Sequence, residues 1–401
     1  MRSARRSQRE ICGLLVEGNS FSIKCVESSD VDDRPTVIII PGPGGGNAYV
    51  QLYANALIEH GIRTRYLTGV DECISFGKHV SGSVINVHWP ENLWGRPRRE
   101  ETAERWHISL KREARRRLLK WRQMKRFIRW LKQEQRAGRQ IWWTLHNVRS
   151  HEGHDIVDEM GFRQLKNIAT RLLVHSVSAI DEFSVRYGEP AASTLVCHGN
   201  YDGVLHTPRD KEVIRNALGI PRDGLVFALV GNVRDYKGLD TIVDAFQQLG
   251  NRVSCVIAGK PSGAAAAMIR RARQLDNTIV IDRYLDDQEY RDVVEASDGI
   301  LLPYRRITTR GALLHAMSCA RGVIASDCAY FREILGGEPE AGVLVRSDDV
   351  DSLVAGIVEY CSMESSKRGK AARRVADNYC WREVVGDLVT EIRRSHRSIA
   401  E

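Results

Sequence analysis

Two groups of residues in this chain have the types and spacing to do chemistry. In the second half, Gly231, Asn232, Arg234, Lys237 and Gly238 follow an apolar run at 225–230. Thr308, Thr309, Arg310 and Gly311 follow another at 299–302, with His315 four residues further on. Glycine lets a phosphate approach the backbone, and Arg234 and Lys237 can offset the charge of a diphosphate as its bond to another group breaks. A threonine cap at 308 or 309 opening a helix adds free backbone amides to the same anion. A nucleoside diphosphate is the ligand class these features fit.

In the first half, His88 closes an apolar run at 84–87 and begins the sequence His88-Trp89-Pro90-Glu91, while His146, His151 and Glu152 follow a run at 141–145. Moving a group onto an alcohol requires a base of suitable pKa for the hydroxyl proton, so His146, His151, Glu152 and His88 are the candidate catalytic residues. His146, His151, Glu152 and His154 together could suggest a metal site, but neither a helical HExxH spacing nor a cysteine partner supports one, and none is expected. Gly44, Gly45, Gly46 and Asn47 form a glycine turn after the run at 36–40. It lacks both GxGxxG spacing and a P-loop lysine, which sets aside dinucleotide binding and ATP hydrolysis and leaves close backbone approach to a ligand. Each feature also has an ordinary reading: a solvated basic loop, a capped turn, a core histidine.

The elements that must carry these loops alternate. Strand-like runs at 36–40, 65–67, 84–88, 141–145, 171–175 and 194–197 are separated by helical segments, and a second series follows at 225–230, 253–258, 278–281, 299–302, 323–325 and 343–345. Unbroken β-branched runs alternating with helices point to parallel sheets covered on both faces, with ligands beyond the carboxyl ends of the strands. Asn47 reads as the cap of a helix at 47–60 that buries Tyr49, Leu52, Tyr53, Ala56 and Leu57, with Gly61 ending it. The expected division is a domain at 1–205, a second at 206–380, and a last helix within 381–401 that crosses back to the first, with 198–222 as linker.

At 401 residues two cores are expected, and 43% hydrophobic with 27% charged residues is ordinary globular usage. The nine cysteines are scattered without paired spacing, which reads as reduced thiols in the cytoplasm. No apolar run reaches the roughly 20 residues of a membrane span. The net charge of +8 is concentrated: residues 111–139 hold thirteen Lys/Arg against Glu113 and Glu134, leaving the rest of the chain at −3. A single helix at 107–138 with Leu110, Ala114, Leu118, Trp121, Met124, Ile128 and Leu131 on one stripe is expected there. Arg115, Arg116, Lys120, Trp121, Lys125, Arg126 and Trp130, with Phe127, suit the interface of an anionic membrane. Nucleic acid would fit the charge but not the phosphate loops of the second half.

The runs GNVRDYKGLDTIVDAF, VIAGKP and ASDGILLPYRRITTRGALLHAMSCARGVIASD, in that order, resemble the donor domain of GT-B glycosyltransferases. The resemblance implies two doubly wound, Rossmann-like α/β domains facing across a cleft, a nucleotide-sugar donor that is a substrate rather than a cofactor, and diphosphate contacts from Arg234, Lys237 and the helix start at Thr309, Arg310 and Gly311. Many retaining members carry two glutamates flanking that helix start; Ile307 and His315 stand there here. The runs HWPE, LHNVRSHE, VHSVSAIDEF and CHGNYDG resemble bacterial enzymes that extend lipid-linked sugars in exopolysaccharide synthesis, of the GDP-mannose-dependent β-mannosyltransferase type. That implies an inverting transfer to a saccharide on a polyprenyl diphosphate, at the cytoplasmic face of a membrane. A nucleotide-sugar 2-epimerase of similar fold, and a non-catalytic basic module docking on RNA or membrane, are the rival expectations.

Overall fold

The computed structural model describes residues 12–14, 23–25, 34–44, 47–76, 84–95, 110–148, 155–204, 207–263, 265–305 and 311–400. Residues 1–34 and 35–401 are separate units. In the first, Cys12–Leu14 and Ile23–Cys25 pair as an antiparallel ribbon.

Residues 35–401 hold two six-stranded sheets in which every pairing is parallel. The first runs in space as Arg63–Tyr66, Thr36–Ile40, Val84–His88, Gln140–Leu145, Arg171–Val174 and Ser193–Leu195. The second runs as Thr278–Ile281, Ser254–Ala258, Val226–Val230, Gly299–Leu302, Gly322–Ser326 and Gly342–Val345. All five residues of Thr36–Ile40 are buried, as the β-branched run requires of a strand covered on both faces. Successive side chains leave it in opposite directions, so Val37 and Ile39 join one core while Ile38 and Ile40 join another. The first of these cores is continuous with that of the second sheet, through Val226–Val230 and Leu239–Leu249.

Chain order reverses direction once in each sheet. From Thr36–Ile40 the chain moves to one side, then returns to add Val84–His88 on the other; Val226–Val230 and Gly299–Leu302 flank the corresponding point in the second sheet. Loops diverge at such points and leave a crevice beyond the carboxyl ends.

Helix Tyr49–Glu59 buries Tyr49, Leu52, Tyr53, Ala56 and Leu57, and Gly61 follows with a φ of 77°. Asn47 stands one residue before the cap position expected of it, yet its Oδ1 accepts the Tyr49 N–H at 3.0 Å. The basic helix spans Leu110–Arg136 rather than 107–138. Its apolar stripe packs inward only in its second half, and this corrects part of the membrane reading: Phe127 and Trp130 are buried in the first sheet's core beside Met124, Ile128 and Leu131, whereas Ala114 and Leu118 stay exposed. Lys120 is also turned in, held 2.6 Å from Asp155 and 2.7 Å from Asp158. Arg115, Arg116, Arg126 and Trp121 stay exposed. Lys125, half-buried, lies over the Trp121 ring at 5.9 Å, and Arg126 pairs with Asp71 at 2.7 Å.

The stretch expected to be linker is partly helical. Asp210 caps Lys211–Leu218 by accepting two backbone N–H groups, and buried Arg215 anchors it to Asp298 at 2.8 Å. At the carboxyl end, Trp381–Val384 and Gly386–Ala400 lie against the first sheet. Glu391 pairs with Arg171 at 2.8 Å, and Arg393 donates to the His60 carbonyl oxygen at 2.8 Å. Among the described residues no helix is long and apolar enough to cross a membrane.

Candidate active site

The carboxyl ends of both sheets open onto one cleft of about 1240 Å³. Gly44, Asn47, Trp89, Glu91, His146 and His175 reach it from the first sheet, and Gly231, Asn232, Arg234, Lys237, Gly311 and His315 from the second. Gly45, Gly46, His151, Glu152, His154, Ile307, Thr308, Thr309 and Arg310 lie outside the described residues.

Strand Val226–Val230 ends at Gly231, and a single 3-10 turn at Asp235–Lys237 leads into helix Leu239–Leu249. Gly238, at a φ of 69°, makes that junction, and a Cβ there would fall 2.4 Å from the Pro303 carbonyl oxygen. This close approach seats the loop against the end of Gly299–Leu302. Lys237 is buried: its Nζ donates to the Val230 carbonyl oxygen at 3.0 Å and lies over the Tyr304 ring at 5.8 Å. Burial, with the nearby Arg234 guanidinium, pulls its ammonium down to about 7. Among the described residues Arg234 has no ion pair, so two cations face the cleft without a counter-charge. Arg305 also lines it but is spoken for by Asp240 and Asp348.

Helix Gly311–Ser318 begins at the cleft. A Cβ on Gly311 would lie 2.4 Å from the Tyr201 Oη, so only glycine fits. His315 is sandwiched between Tyr201 and Tyr290, each ring 4.5 Å away and nearly parallel. Burial lowers its pKa to about 4, so the imidazole is neutral, and among the described residues its Nε2 has no hydrogen-bond partner.

On the facing side, His88 Nδ1 lies 3.0 Å from His146 Nε2, and His146 Nδ1 lies 3.4 Å from His175 Nε2. Trp89 stacks on His146 with centroids 3.7 Å apart, and Tyr49 meets it edge-on at 4.7 Å. Trp89 has a φ of 33°, a left-handed conformation rare for a large side chain, which the surrounding packing must impose. His88 itself is fully buried, its Nε2 held by Asn86 at 3.0 Å, and burial pushes it down to about 3. It is not among the cleft-lining residues, so the ring expected to meet a substrate reaches the cleft only through its contact with His146.

Sequence reasoning passed over two residues. His175 directly follows a strand, as His146 does, and only the sheet order puts the two side by side. Glu91 follows Pro90 in the short helix Pro90–Trp94, and burial with the nearby Asp158 raises its carboxyl to about 7. The pattern HWPE contained the clue, a carboxylate at a helix start after a strand.

Sucrose-phosphate synthase from Thermosynechococcus elongatus matches this structure with a TM-score of 0.64 at 16% identity, covering 91% of this chain and 99% of that one. HepE from Anabaena in complex with UDP matches with a TM-score of 0.63 at 13% identity, covering 90% and 100%. The fold is GT-B. Within this GT-B frame, residues 224–362 match the family model described as glycosyl transferases group 1, which takes in the Lys237 loop and the Gly311 helix. The D-inositol 3-phosphate glycosyltransferase of Mycobacterium tuberculosis is 26% identical over 253 residues, 59% of this chain and 51% of that protein. The chain thus spans about half the length of the curated relatives it matches.

Proposed function

We propose that the protein transfers a sugar from a nucleoside diphosphate sugar to an acceptor hydroxyl in the cleft. The observation that carries this reading is the meeting, in one cavity, of Lys237, Arg234 and the Gly311 helix start with His146 and His175. Cations and free amides on one wall stabilise the charge that develops on the leaving diphosphate. Imidazoles on the other take the hydroxyl proton as the new glycosidic bond forms. Arg234 and Lys237 supply the positive charge, so the reaction is expected to run without a metal and to survive chelation.

His315 replaces the second glutamate of retaining relatives, which supports inversion at the anomeric carbon. GDP-mannose is the donor to which the sequence likeness points, whereas the HepE structures hold UDP and UDP-glucose. The exposed cations Arg115, Arg116 and Arg126, and the exposed Trp121 ring, support docking on an anionic membrane, where a saccharide on a polyprenyl diphosphate would be the acceptor.

A thermal-shift screen of GDP and UDP sugars tests donor choice, since a ligand of the folded state alone raises Tm. Transfer is then assayed with the binding donor and a polyprenyl-diphosphate saccharide. Lys237→Ala is expected to abolish transfer while the fold persists, and undiminished turnover would exclude this mechanism. Conversion of donor alone to its 2-epimer would reassign the reaction. NMR of the product's anomeric proton reads out inversion or retention.

A further inference from the structure

The loop after Gly299–Leu302 places a tyrosine hydroxyl where the protein gives it no partner. Tyr304 is 3% exposed, and among the described residues its Oη has no hydrogen-bond partner. Two other buried tyrosines show the usual arrangement. Tyr360 Oη donates to the Asp298 carbonyl oxygen at 2.8 Å, and Tyr187 Oη donates to the Val148 carbonyl oxygen at 3.0 Å. Tyr304 is also pinned in place. Its carbonyl oxygen accepts from Ser326 Oγ at 2.8 Å and from Ser347 Oγ at 3.3 Å, and its N–H donates to the Leu302 carbonyl oxygen at 2.8 Å. Tyr236 meets its ring edge-on with centroids 5.7 Å apart.

An orphaned hydroxyl alone does not make a site, as Tyr53 shows. Tyr53 is 1% exposed and its Oη likewise has no partner among the described residues, but it sits in the core and does not line the cleft. Tyr304 does line the cleft, and the Lys237 ammonium lies over its ring, 5.8 Å from the centroid. Among the described residues no carboxylate pairs with Lys237, whose Nζ meets only the Val230 carbonyl oxygen and has the Arg234 cation nearby. An anion that pairs with Lys237 therefore arrives beside a hydroxyl that still needs an acceptor. Burial, with Tyr236 and Tyr290 nearby, raises that hydroxyl well above the usual tyrosine range, so it keeps its hydrogen and serves as a donor.

We infer that the Tyr304 hydroxyl donates a hydrogen bond to the diphosphate of the nucleotide-sugar donor, next to Lys237, and that this bond strengthens as the diphosphate leaves. This rests on the glycosyl-transfer reading. The acceptor oxygen bonds to the anomeric carbon and its proton passes to an imidazole of the opposite wall. The carbon–oxygen bond to the diphosphate breaks with its electron pair going to the phosphate oxygen. Tyr304 keeps its own proton throughout and directs its O–H at the charge growing on the phosphate, where an ionised acceptor makes the bond stronger than one between neutral groups. The hydroxyl that destabilises the empty protein is the one the ligand satisfies, so removing it acts on the two states in opposite directions.

The experiment is Tyr304→Phe in the full chain, with Tyr53→Phe as the matched control. Without ligand, both variants are expected to melt at or above the wild-type Tm, because each loses a buried hydroxyl that has no partner. Calorimetry with UDP and GDP identifies the tighter nucleotide for the wild type. Tyr304→Phe is expected to weaken its binding about tenfold or more and to lower kcat for transfer by a similar factor, while Tyr53→Phe leaves both unchanged. A matching loss with uridine or guanosine, which carry no phosphate, would put the hydroxyl on the ribose or base and overturn the inference. An unliganded Tm several degrees below wild type in Tyr304→Phe would overturn it too, by revealing a partner inside the protein. Unchanged binding and turnover in Tyr304→Phe, with an active wild type, sinks the Tyr304 contact and leaves glycosyl transfer intact. A wild type that binds neither nucleotide and transfers nothing sinks both.

Discussion

The Lys237 ammonium lies 3.0 Å from the carbonyl oxygen of Val230, so the cation that faces the cleft is held by the last residue of its own strand. Folding has carried it out of water with one neutral acceptor and a second cation, Arg234, nearby. An anion between the two relieves both penalties at once.

Donor binding should therefore carry a proton linkage. Lys237 titrates near 7 in the free protein and must be charged to hold a diphosphate. Apparent donor affinity is expected to fall about tenfold per pH unit above that point, as more of the free protein has lost the proton. Lys237→Arg keeps its charge throughout and should flatten the dependence. Calorimetric titration with the preferred nucleotide sugar from pH 6 to 9 measures both, and a flat wild-type curve would contradict a charged Lys237 contact.

Glu91 gives a stability test of the opposite sign. Its carboxyl is raised from 4.5 to about 7, so the folded state holds the proton more tightly than the unfolded chain does. Its contribution is full below the unfolded pKa and is lost as pH rises from there to about 7. Glu91→Gln, which cannot ionise, should be more stable than the parent at pH 8, by on the order of 1–2 kcal/mol, and no more stable at pH 4. Thermal unfolding at the two values decides. If transfer also collapses in this variant while His175→Gln is active, Glu91 is the base.

Gly311 and Tyr201 make a testable contact between the linker and the donor loops. Gly311→Ala would drive a Cβ to 2.4 Å from the Tyr201 Oη, and a loss of about 1–3 kcal/mol is expected. The nearest remaining ring atom is 3.5 Å away, so adding Tyr201→Phe should restore most of that loss. Denaturant unfolding of the single and double variants gives the coupling directly, and strict additivity would show that the clash is relieved elsewhere.

The basic helix separates surface from core within one element. Trp121 is 39% exposed and Trp130 only 4%. Cosedimentation with phosphatidylglycerol vesicles should be weakened several-fold by Trp121→Ala and by salt, each exposed arginine contributing about 1 kcal/mol. Trp130→Ala should instead lower stability by roughly 3–5 kcal/mol. Equal vesicle binding by wild type and Trp121→Ala would remove the membrane role of this face.

The alternation of β-branched runs with helical segments was enough to dictate two parallel sheets, because a strand such as Thr36–Ile40, apolar at every position, is stable only when covered on both faces. Local chemistry likewise determined the turn after Val226–Val230 and the buried face of Tyr49–Glu59. The stripe on the basic helix announced that something would be buried, but a helical period cannot tell a lipid interface from a domain core; Phe127 and Trp130 went inward because the first sheet was there to cover. Which histidines meet was decided by strand order alone. His88, His146 and His175 lie 58 and 29 residues apart in sequence, and they become neighbours because their strands are adjacent in one parallel sheet and end at the same edge. The altered charge states of Lys237 and Glu91 are properties of tertiary burial, since water is removed from a side chain only when distant segments close over it.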